Sequence, residues 1–108
     1  MDVSQFESLA DATLARLQLA LEDAAGDWLA VDLAGGILTI ELDSGDEYVV
    51  NKHGASRQIW LASPVSGAWH FAWSQAAQGW LATRGGEPLE RLLASELSAA
   101  GGKAIDLG

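Results

Sequence analysis

Ile37-Leu38-Thr39-Ile40-Glu41-Leu42 alternates apolar and polar side chains, and Asp43-Ser44-Gly45-Asp46 behind it is a run of turn formers. A period of two places Leu38, Ile40 and Leu42 on one face of a strand and Thr39 and Glu41 on the other. The turn then sends the chain back as a hairpin. The same rhythm continues toward the C-terminus. Residues 47–51, 57–62, 68–73 and 79–83 read as strands, separated by the turn-rich stretches 52–56, 63–67 and 74–78. Toward the N-terminus, residues 28–33 form a further strand, joined to the first through Gly35-Gly36.

On both flanks the period changes to that of a helix. Residues 4–25 repeat Phe6, Ala10, Thr13, Leu17, Leu21 and Ala24 at three- and four-residue steps, which makes one buried stripe. Ser4 with Glu7 three residues on reads as a capping box, and Gly26 as a left-handed stop. Residues 87–100 place Leu89, Leu92, Leu93 and Leu97 on one face, with Pro88 in the first turn and Gly101-Gly102 as the stop. Helix, short antiparallel strands, helix, without parallel crossovers, is an α+β pattern. Two helices with one apolar face each are expected side by side on one face of a single antiparallel sheet, a two-layer sandwich whose other face meets water. The 108 residues make one domain of 11.3 kDa, with no linker and no internal repeat.

Composition removes several chemistries. With no cysteine there are no disulfides, thiolate zinc sites or Cys-ligated clusters, so any metal is held by oxygen or imidazole. With His53 and His70 as the only histidines, a three-His metal centre or a His-based triad is not expected. Phosphate-binding glycine loops and a nucleophile elbow are missing as motifs. The acids Asp27 and Asp32 could do acid–base work in principle, but nothing in the sequence builds a pocket around them. Apolar runs are far shorter than the roughly 20 residues that span a bilayer. The first residues, Met1-Asp2-Val3-Ser4-Gln5, lack a basic leader pattern, so the expected location is cytoplasmic.

Charge is unevenly placed. Residues 1–51 carry eleven acids against Arg16 alone, a net of −10, whereas residues 52–108 carry four acids against five bases, a net of +1. Such a field disfavours nucleic acid and favours cations or a basic protein surface. Glu7, Asp11, Gln18 and Glu22 line one stripe beside the buried one, with Asp23 at its end, Asp27 past Gly26 and Asp32 on the adjoining strand. This stripe reads either as a solvated helix face or as a loose carboxylate surface for divalent or trivalent cations.

The sheet pattern also fixes directions. Ile59 and Leu61 belong with the helices, so Gln58 and Trp60 point away from them; Phe71 and Trp73 point inward, which turns His70 outward, and Asn51 can join that outer face. An indole there is covered by a partner, or by loops or the C-terminal tail, or is a single apolar residue scattered on the surface.

The runs Gly36-Ile37-Leu38-Thr39-Ile40, Tyr48-Val49-Val50-Asn51-Lys52 and Gln58-Ile59-Trp60-Leu61-Ala62-Ser63-Pro64-Val65-Ser66-Gly67 strongly resemble frataxin. The openings Phe6-Glu7-Ser8-Leu9-Ala10 and Leu92-Leu93-Ala94-Ser95-Glu96-Leu97 resemble its two helices, and the likeness, of bacterial type, covers nearly the whole chain. The resemblance implies the same α+β sandwich and a role in iron–sulfur cluster assembly. It implies weakly bound ferrous or ferric iron on an acidic ridge, here Asp11, Glu22, Asp23, Asp27 and Asp32, with other divalent cations as alternatives. It implies docking on a cysteine desulfurase–scaffold complex through Asn51, Lys52, Gln58, Trp60 and His70, as iron donor or modulator, by a monomer that iron could assemble further. Alanine and leucine at 24, 25, 29, 30 and 34 make the ridge thinner than is common in that family. Two other readings stay open: an iron-oxidising (ferroxidase) or iron-storage protein, and a metal-independent interaction module.

Overall fold

The computed structural model describes residues 1–107. Elements run in the order α1 (Val3–Ala25), β1 (Leu29–Ala34), β2 (Ile37–Leu42), β3 (Glu47–His53), β4 (Gln58–Ser63), β5 (Gly67–Ser74), β6 (Gly79–Ala82) and α2 (Leu89–Gly101). The six strands form one antiparallel sheet in sequence order, so every hydrogen-bonded neighbour in the sheet is also a chain neighbour. Leu38, Ile40, Tyr48, Val50, Ile59, Leu61 and Phe71 are buried beneath the helices, as the alternation requires. The opposite face carries Thr39, Asn51, Gln58, Trp60 and His70.

Several boundaries differ from the sequence reading, each for a local reason. The N-cap is Asp2 rather than Ser4: Asp2 Oδ1 accepts from the Gln5 N–H at 2.8 Å and Gln5 Oε1 from the Asp2 N–H at 3.2 Å, a complete capping box one half-turn earlier. Glu7 is thereby left free for a longer-range contact. The buried stripe takes in Leu14 and Ala25, and leaves Ala24 in solvent, because Ala25 lies four residues beyond Leu21. Gly26 is right-handed, with φ −61°. What it needs is space: a Cβ there would stand 2.5 Å from the Glu22 carbonyl oxygen. β4 begins at Gln58 because Arg57 has φ +52° and belongs to the turn. Glu87 lies outside α2, its carbonyl accepting from the Ala82 N–H at 2.8 Å, and Leu92 is half-buried.

Two polar devices tie the layers together. The Trp80 indole, buried among apolar groups, donates to Thr13 Oγ1 at 2.9 Å, and Thr13 donates to the Leu9 carbonyl at 2.8 Å. A buried indole N–H needs such a partner, which explains a threonine in the buried stripe. The second device centres on Glu96. Its carboxylate accepts from Tyr48 Oη at 2.9 Å, Ser63 Oγ at 2.6 Å and Ser66 Oγ at 2.5 Å, and so joins α2 to β3 and to the β4–β5 turn. Burial first, and then the Glu96 carboxylate, push the Tyr48 phenol up to about 12.

Helix α2 also leans on Trp28. A Cβ at Gly101 would meet the Trp28 ring at 2.4 Å. Gly101→Ala is therefore expected to cost about 1–3 kcal/mol by overpacking, measured by chemical denaturation. An unchanged midpoint would mean that the Trp28 ring has room to swing aside.

Candidate functional site: an acidic helix end and an open sheet face

Glu22 and Asp23 occupy the last turn of α1, and Asp27 follows in the link to β1. All three are exposed, and among the described residues none of their carboxylates has a hydrogen bond or an ion pair. Their position runs against helix electrostatics. Partial negative charge gathers at a helix C-terminus, where bases stabilise and acids do not, yet the last turn of α1 holds no base. Backbone carbonyls and carboxylates thus act in the same direction here, and their joint field attracts a cation.

Asp11 lies toward the middle of the helix and in different company. Lys52 Nζ donates to Asp11 Oδ1 at 2.9 Å and also to Glu7. These two carboxylates, Glu7 foremost, hold the Lys52 ammonium above the usual lysine range. The reach has a structural cause. Lys52 alternates with Asn51 and so emerges on the helix side of β3, where its stem crosses Gly36; a Cβ at Gly36 would stand 2.6 Å from Lys52 Cε. Lys52 therefore does not share the outer face with Asn51, Gln58 and Trp60, as the resemblance implied. Asp32 is separated from the helix end as well. It lies on the outer face of β1, opposite Thr39, where it lines a depression of about 240 Å³ with Glu41 and Glu47, a directly opposed pair on β2 and β3. The five expected ridge acids thus fall into three groups. Among the described residues no three Asp, Glu or His side chains approach closely enough to form a compact metal group.

The open face is the more ordered half of the site. Asn51, Trp60 and His70 are direct cross-strand neighbours on β3, β4 and β5. The Trp60 indole is covered neither by a loop nor by the tail. The His53 ring stacks on it at 3.6 Å between centroids and 10° between planes, and the His70 ring at 4.4 Å and 13°. Trp60 Nε1 donates to Gln58 Oε1 at 2.9 Å, and His53 Nδ1 lies 2.7 Å from Ser56 Oγ. His53 was missed because the strand was expected to end at Asn51. Two further residues of strand bring it round to the outer face, and Tyr48-Val49-Val50-Asn51-Lys52-His53, three apolar and then three polar side chains, carries no alternation that signals it. A cleft of about 780 Å³ lies elsewhere, between the start of α1 and the β5–β6 turn; Leu9, Trp73 and the amides of Gln5, Gln75 and Gln78 line it, with no acidic side chain.

The acids at the end of α1 and the ring stack around half-buried Trp60 thus lie on different layers of one α+β sandwich. The chain belongs to the frataxin-like family: the model of the frataxin-like domain matches residues 1–103. It is 39% identical over 108 residues to the iron-sulfur cluster assembly protein CyaY of Dechloromonas aromatica, covering 99% of each chain. Mitochondrial frataxin of Arabidopsis thaliana is 36% identical over 107 residues, which is 95% of this chain and 57% of the plant protein. The frataxin of Psychromonas ingrahamii has the same fold, with a TM-score of 0.89 at 22% identity, over 100% of this chain and 99% of that one. Trimeric frataxin from Saccharomyces cerevisiae, complexed with ferrous, gives a TM-score of 0.70 at 32% identity, over 91% of this chain and 86% of that one. No helix among the described residues is long and apolar enough to cross a membrane.

Proposed function

We propose that this protein is a cytoplasmic iron-binding adaptor of iron–sulfur cluster assembly, acting on a cysteine desulfurase–scaffold complex as iron donor or modulator. One observation carries the reading: Glu22, Asp23 and Asp27 stand unpaired at a helix end whose own dipole disfavours them. Stability alone does not put acids there, and a cation or a basic partner does. The name of the Dechloromonas relative and the ferrous complex of the yeast relative support the same direction. In this reading the helix end attracts a basic patch on the desulfurase over long range, weakly held iron tunes that attraction by neutralising carboxylates, and the outer sheet face makes the short-range contact.

Anaerobic titration with ferrous iron, followed through backbone amide signals, tests the metal half. Selective changes at residues 22–27 are expected, at an affinity that open carboxylates and water can supply. Uniform changes, or none, refute it. The spread of the acids into three groups favours one rival reading, an interaction module for which metal is incidental. Its mark is an affinity for the desulfurase–scaffold complex that strong chelator leaves unaltered.

A further inference from the structure

We propose that His53 and His70 are positioning residues for Trp60, clamping the indole from both sides so that the sheet presents a preset aromatic rim. The inference rests on the reading of the outer face as the contact surface and deepens it.

A tryptophan on an uncovered sheet face has several rotamers, and freezing one of them on binding costs about two- to tenfold in affinity. Here three restraints act beforehand. One imidazole lies flat on each side of the ring, at 3.6 and 4.4 Å, and the indole N–H is bound to Gln58 Oε1. The clamp is itself anchored, at the ring of His53 and at the backbone of His70. His53 is held at Nδ1 by the Ser56 hydroxyl, and the His70 carbonyl accepts from the Thr83 N–H at 2.8 Å. With both π-faces taken and the polar handle spent inside the molecule, the carbon rim of the ring is what remains for a partner. A rim fits an apolar slot between side chains, and it meets an aromatic ring edge-on rather than in a parallel stack. The two histidines thereby set the kind of surface that Trp60 accepts.

The test uses the full chain and its His53→Ala, His70→Ala, His53→Phe and Trp60→Ala variants. Relaxation of the Trp60 indole N–H reports ring order, and affinity for the desulfurase–scaffold complex reports function. His53→Ala and His70→Ala are expected to lower indole order while the β4 backbone is unchanged, and to weaken binding about two- to tenfold. His53→Phe, which keeps a flat ring and removes the nitrogens, is expected to restore both. In a Trp60→Ala background, His53→Ala is expected to have no further effect. An indole as ordered without the imidazoles as with them overturns the clamp. So does a loss of affinity from His53→Ala that persists without Trp60, since the imidazole then touches the partner itself. If Trp60→Ala leaves affinity intact, the contact reading of this face fails, and the relaxation data alone decide the clamp.

Discussion

Glu22→Lys combined with Asp23→Lys yields a protein that is harder to unfold and takes up ferrous iron at least about tenfold more weakly. The two effects have one source. Each acid in the last turn of α1 opposes the helix dipole, and a base in its place is worth about 0.3–1 kcal/mol in the other direction. Neither side chain has a partner to lose on substitution. Binding falls because two of the three carboxylates around the helix end disappear and the local field reverses. Association with a basic desulfurase surface slows as well, most at low ionic strength. Denaturant midpoints, iron titration and on-rates at two salt concentrations check all three. A variant that loses stability, or that binds iron as before, removes the helix end from the mechanism.

The second large effect is structural. Glu96→Ala is expected to cost about 2–4 kcal/mol, because three hydroxyls lose a charged acceptor and the fully buried Tyr48 hydroxyl keeps only the Ser63 hydroxyl beside it. Glu96→Gln, which keeps an acceptor, should cost clearly less. Tyr48→Phe added to Glu96→Ala should recover part of the loss by removing the hydroxyl that lost its charged acceptor. The same hub sets an alkaline limit. Because the folded phenol ionises at about 12 and an unfolded one at about 10, its contribution is intact below pH 10 and is lost as pH climbs through 12. Tyr48 is the only tyrosine, so phenolate absorbance reports it alone. In Glu96→Ala the midpoint should fall only part of the way back toward 10, since burial is the larger cause. A full return would show the carboxylate to be the dominant one.

Alternation made the sheet legible. Once Leu38, Ile40 and Leu42 are placed inward, the facing of Ile59, Leu61 and Phe71, and hence of Trp60 and His70, follows from a period that admits no intermediate value. Helix spacing placed Phe6 through Leu21 in the same way. What escaped was fixed by length and reach. Asp11 belongs to the stripe of Glu22 by helical offset, but a lysine on a strand forty-one residues away reaches it across Gly36, and no local pattern encodes that. Asp32 was grouped with the helix acids by sequence proximity, although strand alternation turns it to the outer face beside Glu41 and Glu47. The ring stack needed His53, which a strand two residues too short had left in a loop.

The position of Glu96 on α2, downstream of every strand, bears on synthesis. Each strand can zip onto its predecessor as it leaves the ribosome, because the sheet is wound in chain order. Tyr48, Ser63 and Ser66 emerge well before the carboxylate that all three bind. A chain cut off ahead of α2 would thus carry all six strands with the inner hydroxyls still wet, and α2 is the latch that closes the sheet.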